Sequence, residues 1–145
     1  MARILILNGP NLNMLGTREP EIYGTATLKD IHALCKKKAR ALGLKIDFRQ
    51  SNHEGELVEW IQKAQTKFDA VIINAAAYTH TSVAIHDALK LLHIPIVEVH
   101  LSDPKKREGF RHKSYIEPLA QAVISGQGAG GYEQALEAAQ KFLIS

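Results

Sequence analysis

The chain has 145 residues, 46% apolar and 23% charged, a length and balance that suit one hydrophobic core and exclude a disordered chain. Its 18 Lys and Arg against 15 Asp and Glu leave a formal net charge of +3, too small and too scattered for a nucleic-acid partner; small anions stay open. The single Cys35 excludes an internal disulfide framework and any multi-cysteine metal site.

No apolar run reaches the roughly 18 residues that a membrane span needs. The N-terminal run Ile4-Leu5-Ile6-Leu7 breaks at Asn8-Gly9-Pro10 with no small-residue cleavage pattern, so it reads as a strand and not as a leader. A cytoplasmic protein with no membrane partner is expected.

Residues 4–7, apolar and closed by a turn signal, predict a strand buried on both faces. Leu28, Ile31, Cys35, Ala39 and Leu42 then recur at helical spacing, with Gly43 as the stop. Lys36, Lys37, Lys38 and Arg40 lie mostly off that stripe and form a solvated face. Residues 45–49 predict a second strand. Ser51 and Glu54 stand at capping-box spacing before a second helix with the stripe Leu57, Trp60, Ile61, Ala64 and Phe68, which puts Trp60 in the core. A third strand over 70–73 precedes a third helix over 82–92, buried through Ile85, Ala88, Leu89 and Leu92. Pro95 opens a fourth strand over 96–99, a fifth follows at 122–124, and a last helix over 132–143 buries Tyr132, Ala135, Leu136, Ala139 and Leu143. With no repeat and no linker, residues 1–145 are expected to form a single domain.

Strands alternating with helices imply an α/β fold: a flavodoxin-like, five-stranded parallel sheet with helices on both faces. Such sheets bind ligands beyond the carboxyl ends of their strands. The first strand ends in Asn8-Gly9-Pro10-Asn11-Leu12-Asn13, which offers three amides at a crevice. Residues 16–24 make a long connection of the kind that acts as a lid, carrying Arg18 and Tyr23 between two glycines. The third strand ends in Asn74-Ala75-Ala76-Ala77-Tyr78-Thr79-His80, where small residues let a ligand approach, and the following helix start is expected to offer N–H groups to an anion. The fourth ends in Glu98-Val99-His100-Leu101-Ser102 and runs into a basic loop with Arg107 and Arg111. One Arg clamping a carboxylate there would be normal chemistry.

Gly126-Gln127-Gly128-Ala129-Gly130-Gly131 formally matches the dinucleotide fingerprint, but the chain ends at Ser145, too soon for the second strand and acidic residue which that site requires. The glycines read as a tight strand-to-helix turn. No phosphate loop, serine elbow or HExxH is present, and the histidines lack ligand spacing, so neither a metal nor another cofactor is expected. A Tyr, two His, several Asn and an Arg suit proton transfer on a small anionic, hydroxylated molecule, with Tyr as base and His as acid. On the residues alone, a flavodoxin-like module that binds a nucleotide or small anion without chemistry is equally open.

The run Asn8-Gly9-Pro10-Asn11-Leu12-Asn13…Leu15-Gly16…Arg18-Glu19-Pro20…Tyr23-Gly24 resembles the signature of type II 3-dehydroquinate dehydratases. Arg49-Gln50-Ser51-Asn52, residues 74–82, Glu98-Val99-His100-Leu101-Ser102 and Phe110-Arg111…Ser114-Tyr115 continue the resemblance in the same order over essentially the whole chain. It implies the shikimate-pathway dehydration of 3-dehydroquinate to 3-dehydroshikimate by anti elimination through an enolate, without metal or Schiff base. Tyr23 would be the base, Arg18 would hold it as phenolate, and Asn11 would stabilise the enolate through a water. His100 would be the acid, with Glu98 orienting or charging it. Asn74 and His80 would grip ring hydroxyls, the N–H groups of Leu101 and Ser102 would cradle the carboxylate, and Arg111 would pair with a hydroxyl. Asp87 would reach the site of a neighbouring subunit, in trimers assembled into a dodecamer. The loop over residues 103–109 departs from the family pattern, so Arg107 is left out of the expected site.

Overall fold

Five strands lie side by side in the order β2-β1-β3-β4-β5, each neighbouring pair parallel. They are β1 (Arg3–Asn8), β2 (Lys45–Gln50), β3 (Ala70–Asn74), β4 (Ile96–Val99) and β5 (Ala122–Ile124). The helices are α1 (Pro20–Tyr23), α2 (Leu28–Leu42), α3 (Glu54–Lys67), α4 (Val83–Lys90) and α5 (Gly130–Ile144). This is a computed structural model; it describes residues 1–17 and 19–144, with Tyr23 as backbone only. The expected flavodoxin-like order is the one found.

Alternation along β1 divides the core in two. Ile4 and Ile6 pack with Ile31, Cys35, Tyr132 and Leu136 of α2 and α5, while Leu5 and Leu7 pack with Leu57, Ile61, Ile85 and Leu89 of α3 and α4. Helices therefore cover both faces, which is why residues 4–7 and 70–73 of the central strands are apolar throughout. Cys35 sits inside the first layer, where burial pushes its thiol up to about 12, so it stays protonated and inert.

Two expectations about α3 are corrected. Ser51 does not cap the helix: α3 begins after His53, and the buried Ser51 hydroxyl accepts the His53 N–H at 2.9 Å instead. The capping box stands on α2, where Thr27 Oγ1 accepts from Asp30 N–H and Asp30 Oδ2 accepts from Thr27 N–H. Trp60 is only half-buried, with the Arg49 guanidinium carbon 5.5 Å from its ring centroid. The glycine run does form the turn into α5, with Gly126 and Gly128 at φ of 74° and 59°.

Gly9 joins the tips of β1 and β3. Its N–H donates to the Asn74 carbonyl at 2.8 Å, and a Cβ there would lie 2.3 Å from the Ala75 carbonyl oxygen. The absent side chain lets the two strand ends that carry Asn11 and Asn74 come together.

Candidate active site

A cleft opens beyond the carboxyl ends of β1, β3 and β4. Asn11 lines it from the first, Asn74 and His80 from the second, and His100, Leu101 and Ser102 from the third, with Arg107 and Arg111 closing it from the basic loop. Two non-glycine residues at its edge are left-handed, Asn11 at φ 68° and Ala76 at φ 52°, which marks a tightly specified backbone. Asn11 is held there by its N–H bond to Asn52 Oδ1, at 2.9 Å.

Glu98, the third residue of β4, is fully buried. Its Oε2 meets His100 Nε2 at 2.5 Å and accepts from Ser114 Oγ at 2.8 Å. Ser114 Oγ also accepts the N–H groups of Ile116 and Glu117, so its own hydrogen is committed to the carboxylate. The imidazole thus has Nε2 engaged behind it and Nδ1 as the one ring nitrogen left for chemistry. A carboxylate behind an imidazole in this way fixes the ring's orientation.

His80 ends the 3-10 turn Ala76–His80, and its Nδ1 donates to the Lys113 carbonyl at 2.8 Å. Nε2 is then a bare acceptor. Burial lowers the His80 pKa, with the Lys113 bond opposing. Because the folded value lies below the unfolded one, near about 6.5, the stabilisation is complete above that pH and drains away as pH falls through the folded value. The expected result is an NMR midpoint for His80 below that of a free imidazole, and a loss of stability on acidification that is smaller in His80→Gln.

Leu101 and Ser102 use their carbonyls to accept from Gly128 and Gly126, at 3.0 and 3.1 Å, which ties the β4 turn to the glycine turn before α5. Their own N–H groups meet no acceptor among the described residues. Arg111 reaches the cleft while its Nε donates to Glu108 Oε1 at 3.2 Å. The α4 start does not supply the expected anion site. Ser82 caps it by accepting the Ile85 N–H, and the Ala76–His80 turn stands between it and the cleft.

The class II dehydroquinase family model matches residues 2–140. The chain belongs to this family. The 3-dehydroquinate dehydratase of Phenylobacterium zucineum is 60% identical over 136 residues, covering 94% of each chain, and that of Rhizobium johnstonii is 61% identical over 135 residues, covering 93% of each. The crystal structure of the type II dehydroquinase from Propionibacterium acnes superposes at a TM-score of 0.93, with 43% identity and 97% of both chains covered.

In this dehydroquinase the expected residues separate into groups. Asn11, Asn74, His80, His100, Leu101, Ser102 and Arg111 come together at the cleft, and Glu98 stands directly behind His100. Arg18 and the side chain of Tyr23 lie outside the described residues; the backbone of Tyr23 ends the short helix α1 on the expected lid. Asp87 is exposed on α4 and lines no part of this cleft. Asn8 is no crevice amide: it is fully buried and bonded to Tyr132 and the Arg49 carbonyl. Asn13 is exposed, with Gln50 Nε2 at 3.4 Å.

Arg107, left out on sequence grounds, does line the cleft, and its Nη1 lies 3.4 Å from Ser102 Oγ. Ser114 and Tyr132 were missed as supports of Glu98 and Asn74. Ser114 stood inside the matched Phe110-Arg111…Ser114-Tyr115 run, whereas nothing in the helical stripe marks Tyr132 as more than core. Among the described residues no cluster of three or more His, Cys, Asp or Glu is placed to hold a metal ion, and no helix is long and apolar enough to cross a membrane.

Proposed function

We propose that this type II 3-dehydroquinate dehydratase removes water from 3-dehydroquinate in two steps, with Tyr23 as base and His100 as acid. The observation that carries the reading is the buried Glu98–His100 pair, whose imidazole lines the same cleft as Asn11 and keeps Nδ1 as its remaining nitrogen. Tyr23, held as phenolate by Arg18, takes the proton beside the ketone, and the electron pair moves onto the ketone oxygen as an enolate. Asn11, through a water, stabilises that oxygen. The enolate collapses to the carbon–carbon double bond and expels the hydroxyl, which leaves as water with the His100 proton. Tyr23 and His100 are reset by exchange with solvent.

For binding, the N–H groups of Leu101 and Ser102 cradle the carboxylate, as amides without an acceptor among the described residues are suited to do. His80 Nε2 accepts from a ring hydroxyl, Asn74 donates to one, and Arg111 pairs with another. Asp87, exposed and away from its own cleft, is suited to complete a neighbour's site in a trimer assembled further into a dodecamer. Asp87→Ala is expected to raise KM or loosen the assembly; a fully active monomer would overturn the shared site.

The reaction is tested by the ultraviolet absorbance of the conjugated enone product after 3-dehydroquinate is added to the purified protein. The expected rise survives EDTA, and survives borohydride in the presence of substrate. Loss in EDTA would restore a metal, and loss in borohydride would point to an imine on a lysine. No rise at all from folded protein would leave the small-anion binding module as the reading.

A further inference from the structure

Tyr132 is a large side chain with no exposed surface, and the reaction above does not use it. Its hydroxyl lies between two amides, donating to Asn8 Oδ1 at 2.7 Å and accepting from Asn74 Nδ2 at 3.0 Å. Asn74 lines the cleft; Tyr132 and Asn8 do not. Burial raises the phenol's pKa well above its ordinary value, so the hydroxyl keeps the hydrogen that this arrangement needs.

The direction of every bond in this chain is imposed from its ends. The Arg49 carbonyl only accepts, so the Asn8 atom facing it at 2.9 Å is Nδ2, which turns Oδ1 toward Tyr132. That oxygen also only accepts, so the hydroxyl hydrogen points at it and the phenol oxygen is left as an acceptor. The Asn74 atom facing the phenol must then be Nδ2. From the other end, the Ala76 N–H only donates, and the Asn74 atom that faces it at 3.2 Å is Oδ1. The two constraints, one from β2 and one from the turn after β3, demand the same orientation of one amide. A reversed Asn74 would set donor against donor at the part-buried Ala76 N–H and acceptor against acceptor at the fully buried Tyr132.

We propose that Tyr132 is a positioning residue for substrate binding: through the chain Arg49 carbonyl, Asn8, Tyr132, Asn74 and Ala76 N–H, it fixes the Asn74 amide so that its one uncommitted Nδ2 hydrogen serves the cleft. At that point the site selects a group that accepts a hydrogen bond, such as a ring hydroxyl oxygen, over one that only donates, such as an ammonium. The inference rests on the reading that Asn74 touches substrate.

Steady-state kinetics on 3-dehydroquinate with the full-length variants Tyr132→Phe, Asn74→Ala and the double variant test it. Tyr132→Phe is expected to raise KM about tenfold with kcat within about twofold, since one binding bond is misdirected and the reacting groups are untouched. Asn74→Ala should raise KM at least as much, and the double variant should be no worse than Asn74→Ala. An unchanged KM in Asn74→Ala would remove the reading on which the inference rests. A raised KM in Asn74→Ala with none in Tyr132→Phe would overturn the positioning role alone. So would additive effects in the double variant, or a fall in kcat at constant KM, which are the marks of a merely structural tyrosine. Should Tyr132→Phe fail to fold, Asn8→Ala keeps the phenol but frees its hydrogen to turn toward Asn74; a raised KM at preserved kcat is expected, and an unchanged KM would overturn the proposal.

Discussion

Tyr23→Phe is expected to lower kcat by about 10²- to 10⁴-fold while leaving far-UV circular dichroism and Tm unchanged. The size follows from the task. The proton beside a ketone is a weak acid, and a phenolate is the strong base that the resemblance places near it; phenylalanine keeps the ring and removes the only basic atom. The fold should not notice, because Tyr23 closes a four-residue helix in the connection between β1 and α2 and phenylalanine keeps its ring. Substrate affinity measured by equilibrium binding should stay near wild type, since the groups proposed to bind the ring line the cleft from β3, β4 and their loops. Activity retained within about tenfold would move the base elsewhere, and His80 Nε2, an acceptor at the same cleft, is the group to examine next.

His100→Ala is expected to fall by a similar factor, about 10²- to 10⁴-fold in kcat, because hydroxide is a poor leaving group without a proton. Glu98→Gln separates orientation from charge. The amide keeps the shape and a partner for Ser114 but cannot support an imidazolium as a carboxylate does. Losing one charge-assisted bond predicts a fall of about 10- to 100-fold in kcat with little change in KM. Wild-type kcat in His100→Ala would remove His100 as the acid and leave the leaving hydroxyl to a water, whereas wild-type kcat in Glu98→Gln would remove the carboxylate's charge from the reaction.

Much of this was legible because local rules and global fold agree. Residues 4–7 and 70–73 are apolar throughout, as buried parallel strands are, and the helical stripe with Gly43 marks α2 to within a residue of its end. The Ser51–Glu54 spacing misled for a physical reason: the Ser51 hydroxyl found a nearer donor in His53 N–H, so the chain stayed extended for two residues more before α3. The α4 start misled in a related way, because a 3-10 turn with left-handed Ala76 was inserted ahead of it, and alanine carries no sequence sign of that backbone angle.

The sequence by itself determined the sheet and its helices, through periodicity and turn residues that act over a few positions. By resemblance it also pointed to the family and to the residue types at the strand ends. Only the tertiary structure decided which atoms of those residues are free. It engaged His100 Nε2 with Glu98, spent His80 Nδ1 on the Lys113 carbonyl, buried Asn8 and oriented Asn74 through Tyr132. Those choices join positions up to 124 residues apart, and a hydrogen bond depends on direction within a few tenths of an ångström, information that no local spacing in a chain can carry.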